Sequence, residues 1–208
     1  EVYSILLLIS GYSLPLAVSK LVSKHMAKGE NKNALRYFRC AFVFAFIVGA
    51  AVSIFTYVFA DFLAGTLMSS PMSVLSLRVL APTIFIVAVM GVLRGYFQGM
   101  GNMIPTALSQ LVEQIVNAVV SVTAAYILFS YGKKVSAIIK VDGYDAAYGA
   151  MGGTMGTLAG ALAGFIIMLI LLLLYMWLFR TNIKKSKNRR MDSYSVVYRN
   201  IFVTIIPV

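Results

Sequence analysis

The sequence predicts an all-α integral membrane protein, a bundle of five transmembrane helices followed by the start of a sixth, and three observations carry that prediction. The 208 residues are 60% hydrophobic and only 12% charged, against about 25% charged in an ordinary soluble domain, and the mean hydropathy is +0.86. Apolar runs that approach or exceed the length needed to cross hydrocarbon, about 20 residues at 1.5 Å each, recur along the chain. The loops between them alternate in basic content, as short loops on alternate sides of a membrane do. A soluble fold of this size needs far more polar surface. A disordered chain carries far fewer aromatics than these 13 Phe and 12 Tyr.

Taken in order, the first run spans about 2–19 and contains Gly11 and Pro15, which weaken its backbone hydrogen bonding. A break of that kind marks either a local kink or a hinge or binding site. The second, about 40–60, has no charge. The third, about 72–97, has a short apolar centre from Val79 to Leu93, with Ser70-Pro71 as a helix start and Arg78 and Arg94 placed to snorkel. The fourth covers about 105–131 and includes Glu113, and the fifth covers about 150–179. Residues 1–179 then form one transmembrane lobe, 180–198 a basic cytoplasmic linker, and 199–208 the start of the next helix. The opening on Glu1 rather than Met, and the apolar run still in progress at the other end, predict a piece of a longer protein.

The loops orient these spans. Lys20 to Arg39 carries six bases (Lys20, Lys24, Lys28, Lys32, Arg36, Arg39) against Glu30 and reads as cytoplasmic. Asp61 to Leu77 carries one acid and reads as outside; Arg94 to Ile104 carries one base and reads as inside. Gly132 to Gly149 is nearly balanced and Arg180 to Arg199 holds seven bases against Asp192, so the alternation holds through all five spans. The net charge of +11 is thereby assigned to cytoplasmic loops and not to nucleic acid.

The fourth span is the most informative. Thr106, Ser109, Gln110, Glu113, Gln114, Asn117 and Ser121 recur every three or four residues, on one side of a helix whose other side is apolar. Such a side avoids lipid, since a central acid costs about 2.5 to 3.5 kcal/mol there. It either binds helices together through hydrogen bonds or lines a transport cavity, with Arg94 as the expected partner of Glu113. Arg78 and Arg94 suit phosphate, because a guanidinium fork meets two oxygens at once; ordinary snorkelling is the alternative. Gly152, Gly156, Gly160 and Gly164 form a ladder of small residues that predicts close helix packing. Lys20, Lys24, Lys28, Lys32 and Arg36 recur every four residues and, if helical, form one basic stripe against the anionic leaflet or a pyrophosphate headgroup. His25 beside that stripe reads as a solvated loop residue.

Chemistry carried by the chain itself is not expected. One Cys rules out an intrachain disulfide, and one His with seven acids leaves little material for a metal site. Phosphate-binding glycine loops ending in Lys-Ser or Lys-Thr and zinc-protease motifs are absent from the sequence, so the expectation is a protein that is not an enzyme and takes no cofactor.

Two stretches carry a family resemblance. They are Gly11-Tyr-Ser-Leu-Pro15-Leu-Ala-Val-Ser19-Lys20-Leu-Val and Leu93-Arg94-Gly95-Tyr96-Phe97-Gln98-Gly99-Met-Gly101-Asn102-Met-Ile-Pro105-Thr106-Ala107-Leu-Ser109-Gln110-Leu-Val-Glu113-Gln114. Both resemble the polysaccharide-biosynthesis exporters, in the branch of the stage V sporulation protein B and MurJ-type lipid II flippases. That branch belongs to the superfamily shared with multidrug and toxin extrusion (MATE) transporters. The resemblance implies a MATE/MurJ-like bundle of two six-helix lobes around a central cavity. This chain would run from the second helix to the start of the seventh, in a bacterial cytoplasmic membrane.

It also implies translocation of lipid-linked saccharide precursors by alternating access, with the substrate and membrane lipids as partners, cell-wall synthesis proteins as further ones, and no nucleic acid. Arg94, Gln98, Asn102 and Glu113 would then contact the headgroup or close the gate, and Gln110, Gln114 and Asn117 supply amides for sugar hydroxyls. The first helix of such proteins, which bears important cations, lies outside this sequence. A cation-coupled small-molecule exporter using Glu113, and a noncatalytic scaffold for wall synthesis, are the alternative functions.

Overall fold

The computed structural model describes residues 13–67, 70–141, 143–184 and 192–205, and every regular element among them is helical. The long elements are α1 (Ser13–Ala27), α2 (Asn31–Val58), α3 (Val74–Gly99), α4 (Ile104–Ile139), α5 (Tyr144–Lys184) and α6 (Tyr194–Ile205). Between α2 and α3 the chain makes a short α-turn (Ala60–Phe62), a wide turn (Leu63–Leu67) and a tight one (Pro71–Ser73). Among the described residues four helices are long and apolar enough to cross a membrane: Asn31–Val58, Pro71–Gly99, Ile104–Ile139 and Tyr144–Trp177. The protein is an all-α, multi-pass membrane protein. Most of the first expected span, the linker from 185 to 191 and the last residues of the sixth span lie outside the described residues.

The helices overrun the apolar runs that announce them. α2 begins at Asn31 rather than near 40, because hydropathy marks only the part of a helix that meets hydrocarbon. Its first turns carry Lys32, Arg36 and Arg39, good helix formers that suit water or headgroups. The basic stretch is therefore helical for most of its length, yet it is not one stripe. Gly29 sits at φ +71, its N–H bonded to the Met26 carbonyl and that of Glu30 to the His25 carbonyl, both at 2.9 Å. That bond pair closes a helix end around a left-handed residue, which glycine adopts without steric cost. Lys20 and Lys24 consequently stand on α1, Lys28 in the turn, and Lys32, Arg36 and Arg39 on α2.

The same device ends α3. Gly101 lies at φ +79, with Gly101 N–H on the Gln98 carbonyl at 3.0 Å and Asn102 N–H on the Phe97 carbonyl at 3.1 Å. Pro105 in the first turn of α4 removes a donor that a helix start leaves unpaired in any case.

The chain divides into two compact units. The first takes in residues up to Gly49, Val87–Ser109 and those from Phe165 onward. Its core gathers Leu14, Val18, Val22, Tyr37, Phe38, Leu93, Phe97, Met168 and Ile201, with the Phe38 and Tyr96 rings 4.4 Å apart and Phe97 edge-on to Tyr175 at 5.8 Å. The second comprises Ala50–Ile86 and Gln110–Gly164. Its buried apolar cluster is small, Ala60, Leu63 and Leu77, and large side chains such as Ile115, Val119, Val122 and Ile127 are more than half exposed, as lipid-facing residues are.

Candidate functional site

The two stretches that carry the family resemblance pack on each other in the first unit. A Cβ on Gly95 would stand 2.5 Å from the Pro15 carbonyl oxygen, and one on Gly99 2.7 Å from Val22 Cβ. These glycines let α3 lie against α1 almost backbone to backbone. Arg94, next to Gly95 in sequence and half-buried, donates Nε to Ser109 Oγ at 3.1 Å. The fully buried Ser109 in turn donates to the Thr106 carbonyl at 2.8 Å. The guanidinium is thus anchored on the first turn and a half of α4. Gln98, in the last turn of α3, is half-buried, and Asn102, in the α3–α4 turn, is exposed; Asn102 Oδ1 accepts the Ile104 N–H at 3.1 Å.

The rest of the polar side of α4 lies in the second unit and separates into two lines. Gln110 and Gln114 are exposed; Glu113, Asn117 and Ser121 are half-buried. Opposite that second line runs the glycine ladder of α5. A Cβ on Gly160 would meet the Glu113 carbonyl oxygen at 2.6 Å and Asn117 Cβ at 3.0 Å, one on Gly156 would run into Ser121, and one on Gly152 would lie 2.5 Å from the Ala124 carbonyl oxygen. The Ser121 hydroxyl is within donating distance of Asn117 Oδ1, at 2.8 Å, and of the Gly153 carbonyl, at 3.0 Å. Asn117 and Ser121 serve the helix contact, while the two glutamines face away from it.

Arg78 is held at the surface of the second unit. Its Nη2 donates to Asp61 Oδ2 at 2.8 Å, and its guanidinium carbon lies 6.0 Å from the Tyr57 ring centre. The basic residues of α1 and the turn, Lys20, Lys24 and Lys28, are exposed, as is Arg39, whereas Lys32 and Arg36 are half-buried.

One cluster departs from the expectation set by the sequence. His25 is not solvated: it is 7% exposed and stacked on Tyr37, ring centres 4.6 Å apart. Its Nδ1 donates to Glu30 Oε2 at 2.7 Å, and its Nε2 lies 3.9 Å from Asp192 Oδ2. Tyr37 donates its hydroxyl to Asp192 Oδ2 at 3.2 Å and accepts from Asn200 Nδ2 at 2.8 Å. Asn33 Oδ1 accepts the Asp192 N–H at 3.2 Å. The His25 hydrogen bond, with a second from Asn33 Nδ2, holds the Glu30 carboxyl below the usual carboxylate range. This knot ties α1 and α2 to the entry of α6. Its local signal is a His four residues before a helix-ending glycine; the carboxylate that completes it lies 155 residues beyond Tyr37.

Comparison with known proteins bears on these geometries. A family model described as "Polysaccharide biosynthesis protein" matches residues 1–205. The chain is similar to the stage V sporulation protein B of Bacillus subtilis (strain 168), 33% identical over 129 residues, which is 61% of this chain and 24% of that protein. It is also similar to the lipid II flippase MurJ of the same organism, 29% identical over 134 residues, 61% of this chain and 25% of that protein. The aligned part thus spans about a quarter of the length of these curated relatives. No solved structure matches the chain.

Proposed function

The chain belongs to the polysaccharide biosynthesis protein family, and from that premise we propose that it forms part of the transmembrane body of a flippase. The cargo is a lipid-linked saccharide precursor, lipid II or a related polyprenyl-pyrophosphate-linked glycan, moved across the bacterial cytoplasmic membrane. The observation that carries this reading is Arg94, a half-buried guanidinium anchored on Ser109 where two apolar helices meet in a tight turn. A flippase must lower the cost of taking a charged, sugar-bearing headgroup through about 30 Å of hydrocarbon, and preset cations with amides beside them do so. Arg94 suits the pyrophosphate; Gln110 and Gln114, exposed on α4, suit sugar hydroxyls; Gln98 and Asn102 flank the entrance that the α3–α4 turn would form. Asn117 supports the helix carrying them. Arg78, paired with Asp61, is a further guanidinium suited to phosphate.

The test is complementation of a host depleted of its essential lipid II flippase, using the full-length gene, with outer-leaflet lipid II measured directly. Rescue is expected, and Arg94→Ala is expected to lower outer-leaflet lipid II about tenfold or more at unchanged membrane insertion. Wild-type flipping by Arg94→Ala and Glu113→Ala together would refute the assignment of these residues. A second reading, cation-coupled export of small molecules, is favoured by the half-buried Glu113 inside a spanning helix. It predicts drug resistance that depends on Glu113 and no rescue of lipid flipping.

A further inference from the structure

A groove of about 280 Å³ opens in the first unit between the start of α2 and the start of α6, lined by Lys32, Leu35, Arg36, Arg39 and Tyr194. Three cations in eight residues of one helix share a face through spacings of four and three. Among the described residues no carboxylate pairs with any of them. Glu30 is committed to His25, and Asp192 to Tyr37. Arg36 is fixed in advance: its guanidinium carbon stands 3.9 Å from the Tyr194 ring centre, and Nη1 donates to the Asp192 carbonyl at 2.7 Å. Two anchors, one stacked and one hydrogen-bonded, hold the plane of the fork and leave donors on the groove side. Like charges at this spacing oppose one another along a helix, and a bound anion removes that opposition.

We propose that this groove is a binding site for a phosphate group carried on a lipid. Arg36 and Arg39 supply forked donors to its oxygens, Lys32 a point charge, and the Tyr194 hydroxyl a further donor; Leu35 gives the apolar wall that the rest of a lipid headgroup meets. A diffuse basic surface binds such lipids too, and the exposed Lys20, Lys24 and Lys28 provide that surface on α1 and its turn. The phosphate in the groove comes either from an anionic phospholipid or from a polyprenyl pyrophosphate. Only the polyprenyl arm rests on the flippase reading, and because binding is measured without transport the two can fail separately.

The experiment uses the full-length protein in phosphatidylcholine nanodiscs. Phosphatidylglycerol, polyprenyl pyrophosphate or oleate, an anion without phosphate, is titrated in and bound lipid is counted by native mass spectrometry. Lys32→Gln with Arg39→Gln leaves both Arg36 anchors in place and is expected to weaken the phosphate lipids about tenfold or more, while Lys20→Gln with Lys24→Gln changes them less than about twofold. Arg36→Lys, which keeps the charge and loses the fork, should also weaken them. Tighter binding of the pyrophosphate identifies the precursor as the occupant, tighter binding of phosphatidylglycerol identifies the membrane, and inorganic pyrophosphate should displace either. Equal losses in the two double variants, no loss in the groove variant, or oleate bound as tightly as the phosphate lipids overturns the proposal.

Discussion

The two compact units are built from the same kind of apolar helix and are held together differently. In the first, large side chains interlock and a buried polar knot joins residues far apart in sequence. In the second, α4 and α5 approach through glycines, with backbone against backbone and one serine hydroxyl between them. The contrast follows from what each segment has to bury. The first unit contains the α1–α2 turn and the entry of α6, where His25, Glu30, Tyr37 and Asp192 meet, so its stability draws on satisfied polar contacts, each worth about 1 kcal/mol net. In the second, where α4 meets α5, the gain comes mainly from close van der Waals contact, the principal attraction open to helices surrounded by lipid.

The sharpest way to break the comparison is a pair of glycines three residues apart on α5. Gly156→Ala drives a Cβ into Ser121, whereas Gly153 has nothing within 4 Å of its position. Gly156→Ala should destabilise the full-length protein by about 1 to 3 kcal/mol and Gly153→Ala should stabilise it by up to about 1 kcal/mol, read as opposite shifts in melting temperature in detergent. Next in size is Tyr37→Phe, which keeps the ring on His25 but deprives Asp192 and Asn200 of their shared partner. A loss of about 1 to 2 kcal/mol is expected. Combining it with Asn200→Ala should cost less than the sum of the two single changes; strict additivity would mean that the knot is not one network.

A pH scan sharpens the same point. Glu30 has its folded value depressed below the ordinary 4.5. Its contribution is therefore complete above that pH and is lost as pH falls through the folded value. The melting temperature of wild type should drop more steeply than that of Glu30→Gln on acidification below about pH 4.5; parallel curves would remove Glu30 from the account. The smallest effect belongs to Arg78→Ala. An exposed pair such as Arg78 and Asp61 is worth at most about 1 kcal/mol, and what remains should fade in high salt.

Periodicity and spacing reach far along the helices and stop where one helix meets another. The polar side of α4 and the glycine ladder of α5 each stand out from local spacing. That Asn117 and Ser121 face the ladder while Gln110 and Gln114 do not depends on the rotation of one helix against another, which no local pattern encodes. The family-like stretches are visible as motifs, yet the reason for Gly95 and Gly99 is the backbone of Pro15 and the side chain of Val22, about 80 residues earlier in the chain. The basic stripe breaks because the αL conformation of Gly29 outweighs the four-residue repeat around it. His25 departs from its expected exposure for a related cause: its burial is imposed by Tyr37 and Asp192, and the second of these is remote in sequence.

That remoteness sets an order of events during synthesis. Tyr37 emerges from the ribosome 155 residues before Asp192, an interval of roughly 8 to 30 s at about 5 to 20 residues per second. Throughout it the tyrosine hydroxyl, the outer nitrogen of His25 and the Asn33 amide wait for their distant partner. The knot therefore closes only once α6 has been made. A chain stopped before Asp192 presents open polar groups at the start of α2, accessible to a crosslinker placed on that helix until α6 arrives and covers them.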